Sequence, residues 1–419
     1  MTNDSIKKIN KFDLGWISIN FGMGIGAGVV MVPVIVGVVG FPIFILSVLI
    51  AFPGIYLFQK LYISTLFVSK EPKIYSEIVS GILGPKWEII IAVIYLLMMV
   101  IWTTIYAQIV SKVIALYMYQ LEISSNPDLA NNVFYSFMLV AVLIFLGFKS
   151  QKLLIKTVTL FSVILCVSVI VVTFALIPFW DVKNLTFIPE ASTIIPKLII
   201  LIPFSLTSIL FIQSLSPMVI GYKKEYNTDP IKARKKAVFG MAVAFAILSV
   251  IVLMFIVSFT LAIPHDMAID GKDSDLSAFL LINKYGMSNI YLVIFGGAIN
   301  IFAILTSFLS ILAGMKNSLN GIMFAIIRKT NINATDIKIV DKISVLAIFL
   351  LAWSAIVFNP SIYKLVPLCG PIFGILGCLI PVYLVYKVPA LHKLKTKSLY
   401  YILFVGIVLI ISPLLSSSL

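Results

Sequence analysis

The stretch FGMGIGAGVVMVP, Phe21 to Pro33, sets glycine at every second position, Gly22, Gly24, Gly26 and Gly28, inside an apolar segment. A glycine in a helix interior costs roughly 1 kcal/mol relative to alanine, so the run predicts a helix that is weakened or interrupted there. Chemistry at such a point is non-covalent. Freed N–H groups suit a carboxylate, and freed carbonyls suit a cation or an ammonium group. An amino acid presents both charges. A second segment, IPFSLTSILFIQSLSPMVIG, holds Pro203 and Pro217 around Ser205, Thr207, Ser208, Gln213, Ser214 and Ser216. These hydroxyls and this amide suit a small polar ligand, and they equally suit repair of backbone groups freed near the prolines. The glycines also have a plainer reading, close helix packing through small residues.

Both segments sit in a membrane protein. The chain has 419 residues, 61% hydrophobic and 11% charged, with a mean hydropathy of +1.12, where soluble domains carry about 25% charged residues. With about 20 residues needed to cross some 30 Å of hydrocarbon, the sequence predicts eleven spans in an all-α polytopic protein. They are 14–38, 41–68, 87–119, 132–148, 153–178, 196–221, 237–262, 288–315, 340–358, 365–387 and 398–417. The third is long enough to be tilted. The first far exceeds the 7–15 residues of a signal core and is expected to remain as a span.

A net charge of +14 would suit nucleic acid if it were clustered on one face, but it follows the loops. With the amino terminus assigned to the cytoplasm, only Lys183, Lys197, Lys272, Lys284 and Lys364 fall outside and Lys112 falls within the third span. The other Lys and Arg lie on the inner side, as the positive-inside rule requires, and eleven spans then put the carboxyl terminus outside. Cys166, Cys369 and Cys378 lie in spans without metal or redox spacing and read as small apolar residues. An intramembrane enzyme would need a dyad such as Ser-His or paired Asp, and the predicted spans hold neither; the two histidines, His265 and His392, are in loops.

Spans one and six each resist continuous helix, and they lie five spans apart. Paired interrupted helices at corresponding positions of two halves point to a secondary transporter built from an inverted repeat. The repeats are expected at 13–180 and 195–388, with an extra helix at 398–417 and a single transmembrane domain over the whole chain.

The segment WISINFGMGIGAGVVMVPVIVG resembles the first helix of the hydroxy and aromatic amino acid permeases, whose signature is a Trp followed by an IGAGVLFLP-like run. AFPGIYLFQKLYISTLFVSK, LIPFW, SPMVIGYKKEYNTDPIKARKKA, SFLSILAGMKNSLNG and NPSIYKLVPLCGPIFGILGCLIPVYLVYKVPALHK resemble family segments in the same order, with the serine and threonine permease branch most alike. The resemblance implies the amino acid–polyamine–organocation superfold, two inverted five-helix repeats plus an eleventh helix. It implies substrate held between broken helices one and six, and inward symport of a small amino acid across the bacterial cytoplasmic membrane. An exchanger, an exporter or a non-transporting amino acid receptor would use the same fold. No cofactor is implied beyond a coupling sodium ion or proton.

On that frame, Gly24, Ile25, Gly26, Ala27 and Gly28 would offer backbone groups to the charged ends of an amino acid, and Gln213, Ser214 and Ser216 would meet its side chain. Tyr106, in IWTTIYAQIV, lies at the depth of the break and would bond the carboxylate, or would simply pack. The ionisable residue deep in the spans is Lys112, a proton carrier or a side chain that snorkels to the interface. Two polar groups of the serine-permease pattern are replaced: Thr306 stands where that pattern has Lys, and Ser214 and Leu215 stand where it has Asn-His. The pair Thr306 and Ser307 resembles the Thr-Ser sodium ligands of sodium-coupled members of the superfold. Two hydroxyls plus carbonyls near Gly22 to Gly26 would supply about five oxygens to a hard cation. Alternatively, the two hydroxyls bond carbonyls one turn back in their own helix.

Overall fold

The computed structural model describes residues 8–69, 71, 73, 75–149, 151–287, 290–327 and 334–418. Inside its helices no side chain is described at 27, 146, 149, 151–159, 304–306, 309, 310, 313, 317, 321, 324–327, 334–336 and 416–418. Every regular element among the described residues is helical. The membrane-length elements, labelled by span, are α1 (Lys11–Val39), α2 (Phe41–Leu66), α3 (Lys86–Gln120), α4 (Val133–Lys149), α5 (Gln151–Ala175), α6a (Ile194–Ile209), α6b (Ile212–Glu225) and α7 (Pro230–Ala262). They continue with α8 (Ile290–Ile327), α9 (Ala334–Phe358), α10 (the composite helix Ile362–Lys387) and α11 (Ser398–Ile411). Two short helices, His265–Asp273 and Ala278–Lys284, form a cap between α7 and α8.

Among the described residues eight helices are long and apolar enough to cross a membrane, nine when the two limbs of a bent α1 count as one span. At the fourth and eighth expected spans, α4 and α8 carry the shorter apolar stretches Val133–Phe145 and Ile290–Ala303. The expectation of a long third span is met by α3, whose 35 residues rise about 52 Å at 1.5 Å per residue.

Local chemistry sets the ends of these helices. Asn10 and Asp13 form a capping box at the start of α1: the Asn10 side chain accepts from Asp13 N at 2.7 Å and the Asp13 carboxylate accepts from Asn10 N at 3.1 Å. Gly40, at φ +103°, ends α1 and begins α2 in one residue, a conformation that a side chain would strain. Asp229 caps α7 through Lys232 N, and Pro230 occupies the first turn, where its missing N–H costs nothing.

The sixth span is at the centre. Of its most apolar window 83% is buried, against 33% for Ile337–Phe358 at the periphery. The second limb of α1 is buried on every side, with Val29, Val30, Val32, Val34, Ile35 and Val36 all at zero exposure. It lies against α6a, α7 and α8. Since lipid is as apolar as leucine, close packing rather than burial from water holds such helices together. Glycines show it between α10 and α11: a Cβ at Gly370 would lie 2.5 Å from Leu409 O, and one at Gly374 2.7 Å from Gly406 O.

Polar contacts tie the helices near the start of α1. Lys236 of α7 and Asp13 of α1 form an ion pair at 2.7 Å, with side chains only 3% and 1% exposed. Tyr222 of α6b donates to the other Asp13 oxygen at 2.9 Å, and Lys236 also donates to Lys8 O at 2.7 Å. Lys223 of α6b donates to the carbonyls of Leu66, Ser69 and Glu71 at the end of α2, and Arg234 of α7 donates to Ser64 of α2. At the far end of α1, His265 of the cap donates through Nδ1 to Gly37 O at 2.8 Å and stacks on Phe187.

Candidate functional site

The sixth span is broken, as expected, but not at its prolines. Leu210 is extended (φ −94°, ψ 130°) and Phe211 leaves the helical region (φ −136°, ψ 38°), two apolar residues between Pro203 and Pro217. Side chains take up part of the freed backbone. Phe211 N donates to Gln59 Oε1 of α2 at 3.4 Å, and Ser214 Oγ bonds both Phe211 O and Asn20 Oδ1 of α1 at 2.7 Å. Thr207 and Ser208 donate to Phe204 O and Ser205 O in their own helix, and Ser205 pairs with Ser47 of α2. Three of the five serine and threonine hydroxyls of this span thus bond carbonyls three residues back, one of them, from Ser214, at the break itself.

Helix α1 is bent at its glycine run, as expected of a weakened helix. Helical bonding runs through Lys11–Val39, and the glycine run yields a bend of 40° between Lys11–Gly26 and Gly28–Val39. Glycine weakens a helix but keeps its N–H, so the bonding ladder persists across the glycine run, while Pro33, just beyond the bend, has no N–H for the Val29 carbonyl. The glycines also divide their tasks. Gly28 lies against the backbone of Ser208 in α6a, and Gly24 against Leu248 of α7, which is the packing reading. Gly26 faces a different neighbourhood: a Cβ there would lie 2.5 Å from Ser307 Oγ of α8 and 2.8 Å from the Tyr106 hydroxyl of α3.

That neighbourhood is a cavity of about 40 Å³. It is bounded by Met23 of α1, Trp102 and Tyr106 of α3, and Thr207, Leu210 and Gln213 around the break of the sixth span. Ser307 and Ile311 of α8 and Phe373 of α10 complete it. Phe373 directly precedes a π-helical stretch, Gly374–Leu379, a distortion common where helices line functional sites. Apart from the phenol of Tyr106, the described lining holds no ionisable side chain. Charge on a ligand would be met by dipoles: the carbonyl end of α6a, the N–H end of α6b and the hydroxyls. Two lining residues keep buried polar atoms without a partner, Ser307 Oγ and Trp102 Nε1.

Of the residues singled out from the sequence, Tyr106, Gln213 and Ser307 line the cavity, and Gly26 borders it against Tyr106 and Ser307. The Ile25 side chain is fully buried in the core, and Ser214 is engaged at the break. Ser216 Oγ is buried without a partner and lies outside the described lining. The side chains of Ala27 and Thr306 lie outside the described residues. Lys112 donates to Asp275 O of the cap segment at 3.3 Å, so its ammonium is held at the cap rather than at the cavity. Trp102, Asn20 and Gln59 were not singled out. Trp102 precedes Tyr106 by four residues and so shares its helix face, while Asn20 and Gln59 are amides in apolar spans that burial obliges to find partners.

With this geometry in place, comparison with known proteins is direct. Residues 10–414 match the tryptophan/tyrosine permease family. The chain is 38% identical over 414 residues to the serine transporter of Escherichia coli O157:H7, covering 98% of this chain and 93% of that one. To the threonine/serine transporter TdcC of Edwardsiella piscicida it is 26% identical over 439 residues, covering 96% and 95%. Its fold is similar to that of a Na+-coupled sialic acid symporter in a substrate-bound outward-open state, with a TM-score of 0.58 and 13% identity over 96% of this chain and 89% of the other. A nucleobase-cation-symport-1 family transporter in a closed conformation gives a TM-score of 0.53 at 12% identity over 98% and 92%. Matched from end to end and folded around a bent first and a broken sixth span, this chain belongs to the tryptophan/tyrosine permease family.

Proposed function

We propose that this protein is a secondary active transporter that imports a small, serine-like amino acid together with a cation by alternating access. The observation that carries the reading is the cavity where Gly26, Tyr106, Gln213 and Ser307 meet the broken sixth span. It is small, partly open, and lined by neutral polar groups and helix ends, which suits a zwitterion of few atoms. The identity to a serine transporter supports the substrate class. No covalent chemistry is involved.

Sodium is the favoured coupling ion. Ser307 Oγ is buried, unpartnered and beside Gly26, so the bend of α1 and Ser307 are already adjacent. Neutral oxygens from both would ligate a hard cation. Lys112, the proton-carrying alternative, is committed to the cap. One helix bundle would rock against another around the site, with the amino terminus cytoplasmic and the carboxyl terminus outside a bacterial cytoplasmic membrane.

The test is radiolabelled serine uptake by the purified protein in liposomes, comparing imposed sodium and proton gradients at matched membrane potential. Sodium-driven accumulation is expected, and Ser307→Ala should weaken its sodium dependence by about tenfold or more, the loss of one of about five ligands. Accumulation driven by protons alone would sink the sodium site. Saturable binding without accumulation under either gradient would sink transport.

A further inference from the structure

We infer that Trp102 is the residue that selects for a side-chain hydroxyl: its indole N–H donates to the substrate's hydroxyl oxygen, and its ring limits side-chain length. The inference rests on reading the cavity as an amino acid site.

The indole N–H is a donor only, and a buried one ordinarily finds an acceptor. Trp102 is 5% exposed, lines the cavity, and leaves Nε1 without any protein acceptor. Its ring stacks on Tyr106, with centroids 5.6 Å apart and planes at 28°, so the indole is held by packing and cannot readily turn its N–H elsewhere. The other polar groups of the lining have other tasks. Thr207 donates into its own helix, Ser307 and the Tyr106 hydroxyl lie against Gly26 on the α1 side, and Gln213 stands at the break of the sixth span. The charged ends of an amino acid are matched by the helix ends of the sixth span and the bend of α1. What remains on the α3 side is one fixed donor that requires an acceptor.

A small amino acid brings such an acceptor only if its side chain carries oxygen. Serine fits; alanine and 2-aminobutyrate, in which a methyl replaces the hydroxyl, would leave the indole N–H unsatisfied when they displace water. A site that bonds a substrate hydroxyl discriminates strongly against the analogue lacking it, because the protein group is then stranded. The same ring, with Phe373 and Ile311, fills the space a long side chain would need in a cavity of about 40 Å³.

Radiolabelled serine binding to the purified full-length protein, displaced by unlabelled serine, alanine or 2-aminobutyrate, tests this on wild type and on Trp102→Phe. In the wild type, serine should displace at least tenfold better than 2-aminobutyrate. In Trp102→Phe, serine should weaken about tenfold while 2-aminobutyrate changes less than twofold, so that the two converge. Equal weakening of both ligands, no weakening of either, or a wild type indifferent to the hydroxyl would overturn the assignment. Should Trp102→Phe fail to fold, the wild-type preference decides. Hydroxyl-selective binding without uptake would leave the Trp102 contact standing and remove the transporter reading, whereas uptake without hydroxyl preference would do the reverse.

Discussion

At the scale of single residues, two glycines two positions apart in one helix serve different ends. Gly28 lets α1 meet the backbone of Ser208, which cannot yield. Gly28→Ala should therefore destabilise the fold by roughly 1–3 kcal/mol, the cost of overpacking a fitted interface, read as a fall in the melting temperature of the purified protein. Gly26 points its missing side chain at Ser307 Oγ and the Tyr106 hydroxyl. Gly26→Ala should leave the melting temperature near wild type, since two side-chain ends can shift, and remove most uptake because the new methyl occupies the space beside the cavity. The sequence pointed to Gly26 through spacing, to Gln213 through type, to Tyr106 through its depth, and to Ser307 through its resemblance to a sodium-binding Thr-Ser pair. Phe373 and Ile311 had no such signal, because an apolar residue in an apolar span differs from its neighbours only in what it happens to touch.

At the scale of elements, the sequence announced two disturbed helices, and physics assigned them different fates. A glycine run followed by Pro33 gave a bend in α1; in the sixth span the break fell on Leu210 and Phe211, where neither residue type favours it. Its position is set by tertiary partners, Gln59 from α2 and Asn20 with Ser214 from α1 and α6b, and so was invisible to local reading. The cap is an element with its own chemistry. Asp270 accepts from Lys284 Nζ at 2.6 Å and from the Tyr285 hydroxyl at 2.8 Å, joining its two short helices. Those hydrogen bonds, Lys284 first, hold the Asp270 carboxyl below its ordinary value. A carboxyl lowered on folding contributes stability above its unfolded value, about 3.9, and loses it as pH falls through the lowered one. Hydrogen exchange in residues 265–285 should therefore quicken as pH is taken from 6 towards 3, after correction for intrinsic exchange, and Asp270→Asn should flatten that dependence.

For the molecule as a whole, the composition, the span pattern and the spacing of the interrupted spans made the class legible, while the relative placement of helices required the structure. The contacts at the start of α1 link α1, α2, α6b and α7 into one body through Asp13, Lys223, Arg234 and Lys236. The cavity lies where that body meets α3 and α8, so a ligand held there would touch both groups of helices. Removing one member of a buried ion pair strands the other: Asp13→Ala should cost about 3–5 kcal/mol, and replacing both members by apolar residues, Asp13→Leu with Lys236→Met, should restore most of it, as thermal unfolding would report. Neither residue lines the cavity. In a growth selection that depends on uptake, a strain crippled by Asp13→Lys would accordingly be rescued by Lys236→Asp, at a position 223 residues along the chain, and not by any change to the lining. The genetic map of the defect would lead away from the place where the nutrient binds.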